Sequence, residues 1–409
     1  MASRPSREPS RRLSFGTLYL GSILYQVSLV GIAIVLPQIG SSLIATPSQQ
    51  GMILAGFPLG FGSFAFLSGF WVRRYGPTRT IFSGLVVLGL GGVASAAAFS
   101  PATLFAARLL GGLGAGTYFP VIIGLLAANT PEHRRATNVG LLVSLGLAIG
   151  GAAEILGGAI VAPRFGWQVV LGGTGVVVLV GAFLTASALH RAPLSLAPLQ
   201  PSLDPALLGP TLRMVSVWAL TIALLGVVNA GFTSIGFLAA YVSSQHPSWG
   251  IMYVGAVLAA ALALTLPGGL LGGWASERGV DRRVVLTAFA VCSGVLFLLI
   301  PWANEYSLAA ILAALGLLMG AVLAVLFSMP SHIPEMGGVR VPIVVGVLDG
   351  TRILFSATFA LVFGVVVGLS GYSTAWTLTA IIGLGCIPAI ALVPPNRAGE
   401  GRARPVSMG

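Results

Sequence analysis

Arg108, Glu154, Asp349 and Arg352 are the four charged residues that fall inside long apolar runs of this 409-residue chain, and they are its first candidates for chemistry. A charged side chain at bilayer depth costs at least about 2.5–3.5 kcal/mol on insertion scales, so each needs a partner or a task. Counting along helices at about 1.5 Å per residue puts Arg108 roughly 10 Å, and Glu154 roughly 12 Å, below the same membrane surface. The two are level, which predicts that they approach each other directly or through a shared water. Either they form a static ion pair, or Glu154 is a proton site whose protonation releases Arg108 or admits an anion to it. Asp349 and Arg352 are three residues apart, adjacent on one helix face. They either neutralise each other, or Arg352 serves as an anion ligand while Asp349 senses protons.

Lipid is the solvent in which these groups must be positioned. The chain is 56% hydrophobic and 8% charged, with 56 glycines and 25 prolines. Twelve runs are long enough to span a bilayer, a crossing needing roughly 20 apolar residues. They cover 13–37, 49–72, 80–99, 102–128, 137–162, 167–189, 213–242, 249–275, 284–302, 306–329, 341–369 and 374–394. The fold class expected is an all-α polytopic membrane protein. All but three of the 21 basic residues lie in the tails and on alternate links, which places those links and both termini in the cytoplasm. The first run is too long for a cleaved signal and reads as an uncleaved start helix in a bacterial plasma (inner) membrane.

The net charge of +11 is dispersed over juxtamembrane arginines, which suits contact with anionic lipid and not with nucleic acid. The absence of lysine excludes Schiff-base chemistry. Cys292 and Cys386 lie in different apolar runs without ligand spacing, so packing is their expected role, and no metal site or cofactor is expected. No histidine pair at metal spacing and no Ser/His/Asp set at one depth argues for an enzyme.

Five prolines between His190 and Leu212 mark a linker. The chain therefore divides into a cytoplasmic tail 1–12, a six-helix bundle 13–189, a cytoplasmic linker 190–212, a second six-helix bundle 213–394 and a cytoplasmic tail 395–409. The halves repeat: Thr130-Pro131-Glu132 stands before the fifth run as Ile333-Pro334-Glu335 stands before the eleventh. Gly69-Phe70-Trp71-Val72-Arg73-Arg74 closes the second run, and Gly273-Trp274-Ala275-Ser276-Glu277-Arg278 closes the eighth. Two six-helix repeats related by an axis along the membrane normal are a transporter architecture.

On these residues the chain, over about 13–394, resembles the major facilitator superfamily. Gly69, Arg74 and Gly76 match the family's cytoplasmic gate motif G-x-x-x-D-R-x-G-R-R, with Arg73 at the acidic position and Pro77 at the first basic one. Glu277-Arg278 keeps an acid-base pair in the second half. Arg108-Leu109-Leu110-Gly111-Gly112-Leu113-Gly114-Ala115-Gly116 is similar to R-x-x-x-G-x-G-x-G, where the resemblance associates the arginine with proton coupling. Gly150 to Gly158 is similar to the glycine-rich antiporter pattern that ends G-P-x-x-G-G, with Ala153-Glu154 in place of Gly-Pro and Gly157-Gly158 matching. Phe165-Gly166-Trp167-Gln168 resembles the opening of the sixth helix.

The resemblance implies twelve helices in two bundles around a central cavity reached by the first helix of each half, where Gln26 and Asn229 sit near mid-membrane. An amide there donates to and accepts from a cargo, or bonds helix to helix. No G-x-x-x-x-G-K-[S/T] loop is present, so an ion gradient supplies the energy. The expected function is secondary active transport of a small organic solute by alternating access, in proton-coupled antiport and export. Uptake or exchange of a small anion is the alternative, and a non-transporting receptor on this scaffold a third. Gln26, Asn229 and Arg352 are then expected at the substrate, and Arg108, Glu154 and Asp349 in proton coupling. Gly69, Arg73, Arg74, Gly76, Gly273, Glu277 and Arg278 are expected at the gate. The expected partners are a small-molecule substrate, protons and membrane lipid, and the expected state is a monomer.

Overall fold

The structure, a computed structural model, describes residues 8–65, 67–191, 207–226, 235–277, 281–329 and 341–393. Nearly all of the described residues are helical. In chain order the helices are α1 (Glu8–Ser42), α2 (Pro47–Ala65), α3 (Ser68–Tyr75), α4 (Pro77–Ala96), α5 (Pro101–Ala128) and α6 (Glu132–Leu145). After a π-helical turn over Gly146–Gly151 come α7 (Ala152–Phe165), α8 (Trp167–Arg191), α9 (Leu208–Leu212), α10 (Val215–Leu224) and α11 (Leu238–Gln245). The remainder are α12 (Gly250–Glu277), α13 (Arg282–Leu299), α14 (Glu305–Ser328), α15 (Val341–Gly385) and α16 (Ile387–Ala391).

Among the described residues nine helices are long and apolar enough to cross a membrane, and the bent pair α2/α3 makes a tenth. The 45-residue α15 counts once there, yet Gly371 at φ 83° breaks it. That left-handed backbone is open to glycine and strained for other residues, and the break separates the expected eleventh and twelfth spans. Eleven of the twelve expected spans thus coincide with described helices. The seventh is described only at its ends, as α10 and α11, because 227–234 lie outside the described residues. Within the expected linker, 192–206 also lie outside, α8 runs on to Arg191, and α9 is helical despite Pro210. The first helix starts at Glu8, inside the expected tail.

Turn chemistry explains several helix starts. Ser100 and Thr103 form a reciprocal capping box, with Pro101 at the first helical position of α5. Asn304 and Ser307 do the same for α14, and Asp281 caps α13 by accepting from the Arg283 amide. The side chains sort by solvent, and on α8 Val176, Val177, Val180, Phe183 and Leu184 are all more than half exposed. Their spacing of one, three and four residues forms one outward stripe for lipid, while Trp167, Val178 and Ala182 on the same helix are buried.

The fifth span is not one straight helix. Its π turn presses Gly146 onto Ser22 and Gln26 of α1, and Gly150 onto the Ile23 carbonyl. A π turn adds a residue within one turn and so rotates everything that follows, Glu154 included.

Elsewhere α2 and α5 cross at backbone contact: a Cβ on Gly60 would overlap the Leu109 carbonyl, and one on Gly112 the Phe57 carbonyl. The two halves meet in the same way. Gly51 of α2 faces the Ala360 carbonyl of α15, and Gly255 of α12 packs on Ala159 of α7. Without side chains between them, helices approach closely enough for dispersion and Cα–H···O contacts to hold them in a medium that supplies no hydrophobic drive. Gly112→Val is expected to destabilise by about 1–3 kcal/mol through overpacking against backbone that cannot yield. Gly173→Ala, where nothing lies within 4 Å of the added carbon, is expected to be neutral or mildly stabilising. Thermal unfolding of the two purified variants separates these outcomes.

Candidate functional site

A cavity of about 160 Å³ lies between the halves, lined by α1, α2, α5 and the fifth span on one side and by α12, α13, α14 and α15 on the other. Its wall is mostly aliphatic and aromatic, with Leu29, Leu54, Phe119, Leu262, Phe289 and Phe297 among the lining side chains. The polar groups on it are Tyr25, Gln26, Arg108, Thr265, Ser293, Asp349, Arg352 and Ser356. Tyr25 is held by stacking on Phe119 at 4.0 Å between centroids, with Phe61 at 5.5 Å, so it belongs to the core and to the cavity wall at once.

On α15 the expected local pair is formed. Arg352 donates from Nη2 and Nε to Asp349 Oδ1, at 2.6 and 3.1 Å. The two side chains are 16% and 10% exposed, so the charges neutralise each other away from bulk water while both face the cavity.

Arg108 and Glu154 are brought into one neighbourhood and do not pair directly; among the described residues no ion pair within 4.0 Å joins them. Arg108 turns onto α1 instead, donating from Nη1 to the Ser28 carbonyl at 2.7 Å and from Nη2 to the Leu29 carbonyl at 3.2 Å. Its guanidinium stands 4.7 Å above the Phe57 ring. The buried Nε–H has no acceptor among the described residues. Glu154 lies against Gly31 of α1 and accepts from the Thr174 hydroxyl of α8 at 2.5 Å. Both residues line a second space of about 10 Å³, with Ser28, Ser95 and Thr174 also on its wall. That volume is at the lower limit for one water, which would have several polar partners there. Arg108 lines both spaces, whereas Glu154 lines the smaller alone.

Gln26 is 3% exposed, lines the cavity, and its Oε1 has no hydrogen-bond partner among the described residues. Asn229 lies outside the described residues. Of the gate residues, Gly69, Arg73 and Arg74 are on α3, and Gly76 turns the chain at φ 80° into Pro77 of α4. Arg74 Nε donates to the Tyr75 hydroxyl at 3.2 Å. Gly273 is within α12 and Glu277 ends it, while the Glu277 side chain and Arg278 lie outside the described residues. Thr174, Gly31 and the α1 carbonyls were not legible as site groups, since hydroxyls, glycines and backbone oxygens carry no signal until a neighbour is known. Among the described residues no group of three or more potential ligands could hold a metal ion.

Removing one partner of the α15 pair leaves an uncompensated charge, which costs about 3–5 kcal/mol at a buried site. Asp349→Asn and Arg352→Gln are each expected to lower the unfolding temperature, and the double variant to recover most of the loss, in a double-mutant cycle read by thermal unfolding.

Comparison with known proteins agrees with this architecture. The family model described as Major Facilitator Superfamily matches residues 18–339. Over 154 residues the chain is 32% identical to the hexuronate transporter of Bacillus subtilis strain 168, covering 37% of this chain and 36% of that protein. Over 131 residues it is 34% identical to the methylenomycin A resistance protein of Streptomyces coelicolor, covering 32% of this chain and 27% of the relative. The chain thus matches well under half the length of these curated relatives. A crystal structure of a bacterial homologue of the human lysosomal transporter Spinster, inward-facing and occupied, aligns over 96% of this chain and 97% of its own. Its TM-score is 0.72 at 16% identity, a likeness of fold. With the family match running from residue 18 to 339, the chain belongs to the Major Facilitator Superfamily, a family of multi-pass membrane transporters that bind small molecules and are not enzymes.

Proposed function

We propose that this protein is a proton-coupled secondary transporter that moves a small organic solute across a bacterial inner membrane by alternating access. Both termini are cytoplasmic and the protein works as a monomer. The observation that carries the proposal is the cavity between the halves, to which each half contributes charged side chains: Arg108 from the first, Asp349 and Arg352 from the second. A site shared by two rigid bundles opens to one side or the other as they rock, and the glycine contacts at Gly51 and Gly255 are interfaces that can part without breaking side-chain bonds. Glu154 is the proton site, its carboxyl lying near Arg108 with no ion-pair partner within 4.0 Å among the described residues. Protonation changes the charge that Arg108 experiences and hence the relative energies of the access states.

Antiport with export is a second reading of direction. The Gly150 to Gly158 run resembles the antiporter pattern, and the Streptomyces coelicolor relative is named for resistance. The Bacillus subtilis relative, named as a hexuronate transporter, keeps uptake open.

Purified protein in sealed proteoliposomes with an internal pH dye tests the coupling. A gradient of a transported solute is expected to drive proton movement, and an imposed pH gradient to drive solute accumulation that a protonophore abolishes. Glu154→Gln is expected to carry solute without moving protons. Accumulation that survives the protonophore unchanged would refute proton coupling.

A further inference from the structure

The four intramembrane charges sum to zero, but they are not distributed evenly over the two spaces. Asp349 and Arg352 cancel within the cavity wall. Arg108 also lines that wall, whereas its counter-charge, Glu154, faces the smaller space behind it. The described lining therefore carries one positive charge in excess. While Glu154 is ionised, that excess is balanced through the wall. Once Glu154 takes a proton, Arg108 keeps, among the described residues, two neutral carbonyls and the Phe57 face, with no acceptor there for its Nε–H. A bare charge in so apolar a surround is expensive, and the cavity is the place from which a solute can neutralise it.

We propose that the cavity binds a small organic monoanion, a single carboxylate on one ring or a short aliphatic chain, and binds it together with one proton on Glu154. This rests on the transport reading for its physiological meaning and on the charge distribution for its chemistry. The anionic head is set by the excess positive charge. The apolar body is set by the wall, where Leu262, Phe289 and Phe297 offer no hydrogen bonds. The size is set by the volume of about 160 Å³, below the roughly 300–1,000 Å³ of sites for drug-sized ligands. An organic cation competing with a proton for one carboxylate is disfavoured here, because Asp349, the carboxylate on the described wall, is already bonded to Arg352.

Arg108 is the charged group facing Glu154 among the described residues of every helix packed there. Helix α1 presents Ser28 and Gly31, α4 presents Gly91, Gly92 and Ser95, α2 presents Phe57, and α8 presents Leu171 and Thr174. On the α12 side the fifth span is met through Gly255. The hydroxyls do not ionise in the working range, so one carboxyl and one guanidinium define the linkage. Because linkage is reciprocal, a proton that strengthens anion binding is itself held more tightly when the anion is bound. The two ligands then travel in the same direction, as symport.

Binding to the full-length protein in detergent tests this with four probes: phenylacetate, hexanoate, the neutral phenylacetamide and the cationic 2-phenylethylamine. Calorimetry in buffers of different ionisation enthalpy counts the protons, between about pH 6 and 8, where the acids are ionised. At least one acid is expected to bind with uptake of one proton, its affinity falling about tenfold per pH unit on the alkaline side of the Glu154 titration, while amide and amine do not bind. Glu154→Gln, which keeps a partner for Thr174, is expected to bind the acid with no proton uptake and no pH dependence. Glu154→Asp, which keeps a titratable carboxyl, is expected to retain the uptake and guards against a merely misfolded glutamine variant. Binding of the amine or amide in preference to both acids, acid binding without proton uptake or with release, or no acid binding at millimolar concentration each overturns the proposal. In proteoliposomes the two readings part. An acid that binds with one proton but is not moved by a pH gradient leaves the site assignment standing and removes transport, whereas a solute that is carried without co-binding a proton removes the assignment alone.

Discussion

Arg108 can hold a positive charge inside the bundle because α1 passes close enough for the Ser28 and Leu29 carbonyls to accept from it. The geometry around it follows from that constraint. A guanidinium on α5 reaches the α1 backbone because the helices beside it carry glycines where side chains would hold them apart. Gly56 faces the Phe105 carbonyl, Gly91 faces Gly111, and Gly31 leaves the space that the Glu154 carboxyl occupies. A β-carbon at Gly31 would collide with that carboxyl. The glycine-rich composition, costly in a water-soluble helix, here lets polar groups find partners where water cannot supply them.

The two halves share a helical plan and differ in chemistry. In the first half the charge is spread over two helices, Arg108 on α5 and Glu154 on α7, with α1 touching both. In the second it is confined to adjacent turns of α15. A local pair such as Asp349 and Arg352 forms wherever α15 goes, so it neutralises itself in any arrangement of the bundles. Charges on separate helices depend on how those helices pack, and they are the ones whose balance a change of packing or protonation can alter. The N-terminal half therefore carries the charges whose balance depends on packing between helices, and the C-terminal half contributes a locally neutralised pair on the opposite wall.

The π turn at Gly146–Gly151 stands between the cavity and Glu154 along the fifth span. It brings Leu147 to the cavity and rests Gly146 on Ser22 and Gln26, so the segment that positions Glu154 also touches the cavity wall. π turns tend to mark functional positions because the widened turn is less stable than the α-helix around it and is retained for what it positions.

Hydrophobic runs alone determined that this is a polytopic helical membrane protein, and eleven of the twelve runs coincide with described helices to within a few residues, because run length is a property of contiguous residues. The i, i+3 ion pair on α15 was equally legible, since a helix places those residues side by side without help. Counting along each helix put Arg108 and Glu154 level, and the two do line one small space. Which way each side chain turns was not legible, because one residue added by the π turn rotates Glu154 about its helix, and because α1, some 80 residues from Arg108 in sequence, supplies the carbonyls that capture it. Tertiary packing alone decided that the arginine faces the cavity between the halves while the glutamate lies behind it, since contacts between helices far apart in sequence depend on glycine-lined approach distances that no local pattern encodes.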